Sequence, residues 1–213
     1  MSYDGDEFPP IRIFAKTNTN SHMRKYIIWI VLGVLALFAF SSYNGLVSKQ
    51  ENVGLAWGNV ESDYQRRADL IPNLVNTVKG YANFEQETLT KVMEARASAT
   101  QVKIDASNLT PDNVAAFQQA QGTLSSALGR LLAVAEAYPD LKANQNFLDL
   151  QAQLEGTENR INVSRQRFNE AVNEYNTSRR KFPTVIFASL LGFGEKGYFK
   201  ADAGAEKAPE VKF

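Results

Sequence analysis

The sequence predicts an all-α protein in which an N-terminal transmembrane helix is followed by an antiparallel bundle of about four long helices. Three observations predict this fold. No charged residue occurs between positions 26 and 48. Apolar residues then recur at helical spacing as far as position 182, and no useful length of chain alternates between apolar and polar residues as a strand would. The 213 residues fit one domain with an appendage.

The uncharged segment predicts a membrane helix. Residues 26–40 read YIIWIVLGVLALFAF, and the run without charge continues to Ser48. A membrane-spanning helix needs about 20 predominantly apolar residues. A core helix of a soluble protein is disfavoured because polar residues normally interrupt such a run. A cleaved signal peptide remains the alternative, since Ala39-Phe40-Ser41 loosely resembles a small-residue cleavage site.

The flanking residues predict the bounds and the orientation of this helix. Four cations precede the run, whereas only Lys49 follows within about 20 residues of Phe40. We therefore predict a transmembrane signal anchor at 23–43 in the bacterial inner (cytoplasmic) membrane, with the N-terminus cytoplasmic and the bulk of the chain exported, periplasmic or extracellular. Residues 1–22 are expected to form a disordered cytoplasmic tail. Three aromatic residues are expected at the membrane interface: Tyr26, Trp29 and Tyr43.

Residues 44–182 are predicted to form the exported bundle. In the first helix Leu46, Val53 and Val60 fall seven apart, the spacing of coiled-coil packing. Pro72 is predicted at or near the first position of the second helix. For the third helix, the sequence predicts Thr110 as N-cap, followed directly by a proline.

The fourth helix has the strongest pattern. Aromatic and aliphatic residues repeat every seven positions from Phe147 to Phe182, and a second row beside them is mostly polar. We predict that Glu158, Arg165 and Asn169 belong to a polar network between helices that fixes their register. A ligand pocket between helices is the alternative.

An uncharged apolar stretch follows the fourth helix. Residues 182–193 read FPTVIFASLLGF and come directly after three cations. The stretch is too short to span a membrane, so it is expected either to lie in the membrane interface or to cover the end of the bundle. Phe182, Phe187 and Phe193 are its candidate interface residues. Residues 183–213 are thus predicted to be a membrane-proximal segment followed by a disordered tail.

Composition excludes many kinds of active site. The chain has no cysteine and one histidine, His22, which lies in the predicted tail. Thiol chemistry, zinc–thiolate sites and multi-histidine metal centres are therefore excluded. The formal net charge of zero argues against a nucleic-acid binder. We expect no enzymatic activity, no cofactor and no metal.

Several motifs together resemble the LemA family. They include QRRADLIPNLV at 65–75, VKGY at 78–81, YPDLK at 138–142 and TENRI at 157–161, and the likeness covers about residues 23–199. The resemblance implies a single membrane helix and an antiparallel bundle, but no defined activity. Members are often encoded near TPM-domain membrane proteins or an HtpX-type membrane zinc protease, which implies an envelope protein partner. Phe84 stands where a histidine is often found, which weakens any metal or acid–base role there.

Two functional hypotheses follow. The first is a non-enzymatic interaction or scaffold module for another cell-envelope protein. The second is a membrane-surface or lipid-organising protein that uses the C-terminal apolar segment. Four polar residues are expected at the first helix–helix turn, either as caps and ion pairs or as a partner-docking surface: Arg66, Arg67, Asp69 and Asn73. The sequence leaves the oligomeric state open.

Overall fold

The computed structural model describes residues 20–80 and 85–201, with side chains from Met23 onward. Within these ranges the chain is helical and contains no strand. The predicted fold class is confirmed: a long apolar N-terminal helix is followed by a helical bundle. The helices are α1 (Asn20–Lys79), α2 (Gln86–Gln101), α3 (Pro111–Ala135), α4 (Pro139–Lys142), α5 (Gln145–Arg180) and α6 (Thr184–Leu190), with one 3₁₀ turn at Ala106–Asn108.

The chain divides into two compact units, residues 1–40 and 41–213. In the first unit the described side chains are almost all exposed, including Trp29 (72%) and Leu37 (72%). By length and composition this part of α1 can cross a membrane. Exposure of so many large apolar groups is what a lipid-facing helix requires and what a water-facing one avoids.

Two apolar clusters hold the second unit together. The first surrounds Trp57, whose ring lies 5.0 Å from that of Phe117 and 5.4 Å from that of Phe168. The second contains Ile71 and Leu131 with their buried neighbours on α2 and α5. The predicted seven-residue row of the first helix is confirmed, since all three of its members are buried: Leu46, Val53 and Val60.

The predicted start of the second helix at Pro72 is wrong. Helix α1 continues through Pro72 to Lys79, and α2 begins only at Gln86. A proline inside a helix lacks the N–H that would bond to the carbonyl four residues earlier. That carbonyl belongs to Ala68, and Arg96 of α2 donates to it from Nε at 2.7 Å. The neighbouring helix thus supplies the hydrogen bond that the proline removes.

The starts of the third and fourth helices follow local sequence rules. Thr110 caps α3 by accepting a hydrogen bond from the Asn113 N–H at 3.3 Å, as predicted. Asn144 caps α5 in the same way through the Phe147 N–H at 3.1 Å. The seven-residue row of α5 is buried from Phe147 to Tyr175. Its expected last member, Phe182, lies beyond the helix and is 80% exposed.

A non-helical segment returns along the bundle after α6. Gly192 has φ +78°, a conformation that glycine adopts without steric cost. Residues 193–201, which we call the C-terminal strap, then run along α5 from its end back toward its middle. Residues 1–19, 81–84 and 202–213, which include Phe84 and most of both predicted disordered tails, lie outside the described residues.

Candidate functional site

A buried arginine joins three helices at the centre of the bundle. The Arg67 side chain on α1 is 1% exposed. Its Nη1 donates to Glu158 Oε1 on α5 at 2.6 Å and to Ser125 Oγ on α3 at 2.8 Å. Its Nη2 donates to Gln121 Oε1 at 2.6 Å. A buried guanidinium is tolerated only when a carboxylate and further acceptors replace its water; these three residues do so for Nη1 and Nη2, whereas Nε has no hydrogen-bond partner among the described residues.

This network forms the floor of an open cavity of about 1100 Å³, which we call the α3–α5 groove. One wall is α3, where three small residues fall seven apart and are exposed: Ala115, Gly122 and Gly129. The other wall is α5, which contributes polar residues including Glu155, Asn159 and Asn162. The α3 wall therefore carries a row of small residues between longer ones such as Gln119 and Leu132, and it faces a polar wall on α5.

The four polar residues predicted at a helix–helix turn lie within α1 instead. Arg67 is buried in the network, whereas Arg66, Asp69 and Asn73 are exposed. Asp69 accepts a hydrogen bond from Gln65 on the same helix at 2.7 Å. Only Arg67 of the four reaches the groove.

The predicted polar residues of α5 divide between two sites. Glu158 pairs with Arg67 across the helices. Arg165 and Asn169 instead bind the C-terminal strap. Arg165 Nη2 donates to the Lys200 carbonyl at 2.9 Å, and its guanidinium lies 5.1 Å from the centre of the Phe199 ring.

Three side-chain amides hold the strap by its backbone. Asn176 donates to the Lys196 carbonyl at 2.8 Å and accepts from the same residue's N–H at 3.1 Å. Asn169 binds both backbone groups of Phe199 at 2.8 and 2.9 Å. Gln118 binds both groups of Lys200 at 2.8 and 3.0 Å. An amide can donate and accept at once, so these residues replace the neighbouring strand that an extended chain otherwise needs.

Packing fixes the strap as closely as hydrogen bonding does. Phe199 is 5% exposed and lies among the Trp57, Phe117 and Phe168 rings. A Cβ added to Gly197 would lie 2.7 Å from the Pro111 Cα, so only glycine fits there.

Two titratable groups contact the strap region. Burial lowers the pKa of Lys196, while Asp105 partly opposes that shift; Lys196 Nζ donates to the Ser107 carbonyl at 2.8 Å. Burial raises the pKa of Tyr175, whose hydroxyl donates to the Gly194 carbonyl at 2.9 Å. Both groups are therefore occupied in holding the backbone of the strap and its neighbouring loop.

The predicted membrane-interface residues differ in exposure. Tyr26, Trp29 and Phe182 are more than two-thirds exposed, and Tyr43 is 44% exposed. Phe187 is half-buried. Phe193 is buried and packs edge-on against the Tyr43 ring at 5.6 Å, so its ring belongs to the bundle.

Sequence reasoning missed several residues that organise these sites. Arg96, Gln121 and Gly197 carry no local signal, because their partners are distant in the chain. The seven-residue spacing of Asn169 and Asn176 on α5 is the one pattern that indicates a shared ligand. No cluster of three or more metal-ligating side chains occurs among the described residues.

The LemA family profile matches residues 56–213. This chain belongs to the LemA family. The magnetosome protein MamQ of Magnetospirillum gryphiswaldense is 27% identical over 194 residues, which cover 81% of this chain and 71% of that protein. Magnetosome protein MamQ 2 of Paramagnetospirillum magneticum is 27% identical over 197 residues, covering 80% and 71%. Protein LemA of Metamycoplasma hominis is 23% identical over 178 residues, covering 83% and 78%.

The family match extends through most of the elements described above. It begins at Ala56, beside the core residue Trp57, and includes Arg67, both walls of the α3–α5 groove and the strap. The groove and the strap therefore belong to the LemA part of the chain, whereas the apolar segment at 23–40 precedes it.

Proposed function

We propose that this LemA family protein is a membrane-anchored, non-enzymatic interaction module that binds another cell-envelope protein in the α3–α5 groove. The observation that carries the proposal is the groove itself, an open cavity of about 1100 Å³ with the Arg67–Glu158 ion pair in its floor. The resemblance to the family suggests a TPM-domain protein or a membrane protease as the partner.

The groove walls favour a helix as the bound element. Ala115 and Gly129 are separated by 14 positions, or about 21 Å at 1.5 Å per residue. Small residues at every seventh position let a second helix approach closely along four turns, and helix-in-groove docking is a common recognition mode. The polar residues of α5 would select a partner helix with one polar edge.

The Arg67 network supports a binding role over a catalytic one. Glu158 accepts a hydrogen bond from Arg67 Nη1 at 2.6 Å, so its carboxylate is engaged in linking α5 to α1. Its contribution is to keep α1, α3 and α5 at the spacing that leaves the groove open.

We further propose a single-pass topology in the inner membrane, with a cytoplasmic N-terminus and an exported bundle. The cation excess before the apolar run supports this orientation. The groove would then meet its partner outside the cytoplasm.

A matched pair of substitutions tests the groove. Gly122 is exposed in the groove, and a Cβ there would meet nothing within 4 Å, so Gly122→Arg fills the groove without disturbing the fold. Thr123→Arg adds the same side chain to an exposed position on α3 outside the groove. In-cell crosslinking and pull-down should recover an envelope protein with the unmodified chain and with Thr123→Arg, and lose it with Gly122→Arg. Equal recovery with both variants would contradict the proposal.

A further inference from the structure

Helix α6 presents an apolar face away from the bundle. Phe182 and Leu190 are each 80% exposed, and Ile186 between them is 52% exposed. Ile186 and Leu190 are four apart within α6, which places them on one side of that helix, and Phe182 lies just before the helix in the chain. The opposite side holds Ala188, which is 1% exposed and packs into the first apolar cluster. The helix is therefore apolar on both faces, whereas a surface helix in water is polar on its outer face.

Contacts of α6 place it at one end of the bundle. Thr184 Oγ1 donates to Ser42 Oγ at 3.5 Å, and Phe193 packs on Tyr43. Ser42 follows the apolar run by only two residues. α6 therefore contacts the part of the chain that directly follows the apolar run.

The residues just before α6 carry positive charge. Arg180 and Lys181 are exposed at the end of α5, and residues 182–193 contain no acidic group. Exposed cations beside an apolar face suit a bilayer surface, because the cations can contact anionic headgroups while the apolar side chains contact the acyl chains below them.

We infer that α6 inserts Ile186 and Leu190, together with the preceding Phe182, into the interfacial region of the bilayer that the anchor crosses, with Arg180 and Lys181 at anionic lipid headgroups. The bundle is thereby attached to the membrane at two points, the anchor and α6. This inference rests on the membrane anchoring and not on the partner groove.

The absence of cysteine permits a direct test. A single cysteine at Leu190→Cys carries an environment-sensitive fluorophore in the full-length protein, reconstituted in phosphatidylcholine–phosphatidylglycerol vesicles. Leu55→Cys is the matched control, because Leu55 is 70% exposed on the bundle. Leu35→Cys, within the apolar run, reports whether the anchor itself is inserted.

The inference predicts that the labels at residues 190 and 35 shift their emission to shorter wavelength and are quenched by nitroxide-labelled lipid, while the label at 55 does neither. Removing phosphatidylglycerol or adding Phe182→Glu should weaken the effect at residue 190 and leave residue 35 unchanged. If the label at residue 35 is quenched but the label at residue 190 stays exposed to solvent, the inference about α6 is overturned and the membrane anchoring stands. An unquenched label at 35 would overturn the anchoring as well.

Two further outcomes would also overturn the inference. A shift at residue 190 that grows with protein density in the vesicles, but ignores nitroxide lipid, would mean that a second copy covers α6. A shift that appears in cell membranes but not in vesicles of pure lipid would mean that another protein covers it.

Discussion

One arginine explains how a 60-residue helix accommodates a proline. Pro72 leaves the Ala68 carbonyl without its partner inside α1, and Arg96 of α2 donates to that carbonyl at 2.7 Å. The sequence around Pro72 has every local sign of a helix start, and only the long-range contact shows why the helix continues. Residues 54 to 91 positions from Arg67 likewise complete its network. Such partners cannot be inferred from spacing along one helix.

The Pro72–Arg96 pair gives a prediction by double mutation. Arg96→Ala should lower the free energy of unfolding by about 1–3 kcal/mol, because a part-buried carbonyl loses its donor. Pro72→Ala in the same background should recover much of that loss, since residue 72 then supplies the missing N–H. Urea unfolding of the full chain in detergent, followed by circular dichroism, measures the coupling. Strictly additive effects would show that the two residues do not share the Ala68 carbonyl.

A second residue-level prediction concerns alkaline pH. Burial raises the pKa of Tyr175 above the ordinary value of about 10. The folded protein therefore keeps the phenol proton at a pH where the unfolded chain loses it, so stability is full below pH about 10 and falls as pH rises further. Tyr175→Phe should be less stable at neutral pH, because the Gly194 carbonyl loses its donor. The difference in the free energy of unfolding between Tyr175→Phe and the unmodified protein should become smaller above pH about 10, as measured by urea unfolding. A difference that stays constant with pH would contradict the raised pKa of Tyr175.

Among the elements, the existence of four long helices was predictable, whereas the boundary between the first two and the strap were not. Heptad rows such as Leu46–Val53–Val60 fix which helix faces are buried, and Thr110 marks a helix start from four residues of local sequence. The strap has no periodicity, because amides on α3 and α5 hold its backbone rather than its side chains. From the sequence, the residues of the strap were therefore predicted to belong to the apolar segment and the tail. The hydrogen bonds between the strap and the distant amides form only in the folded bundle.

The strap gives an element-level prediction. Asn169→Ala leaves both backbone groups of Phe199 without protein partners and should lower the free energy of unfolding by about 2 kcal/mol. Gly197→Ala should destabilise by about 1–3 kcal/mol, because its Cβ would overlap the Pro111 backbone. Asn173→Ala, an exposed position on the same helix, is the control and should change stability by no more than about 0.5 kcal/mol. Equal effects at residues 169 and 173, by urea unfolding, would show that the strap does not stabilise the bundle.

At the scale of the whole molecule, this LemA family chain combines an apolar N-terminal helix with a bundle whose open surface is the α3–α5 groove. The sequence predicted both parts in outline, because a long uncharged apolar run marks a membrane helix and hydrophobic periodicity marks the buried seams of a bundle. It placed the candidate docking residues at a turn, whereas Arg67 lies under the groove and Arg66 is exposed and does not line it. The groove walls consist of residues from α3 and α5 that have no sequence relation to each other. Their closeness is a product of the fold.

The most direct test of the proposed function is photo-crosslinking from defined positions in living cells. A photoreactive amino acid replaces Gln119 or Asn159 in the groove, and Thr123 outside it serves as the control on α3. We predict that both groove positions crosslink to the same envelope protein and that position 123 does not, with the crosslink mapping to a helix of the partner. Crosslinks of equal yield from position 123, or none from either groove position while other surfaces of the bundle capture a partner, would contradict the groove as the binding site.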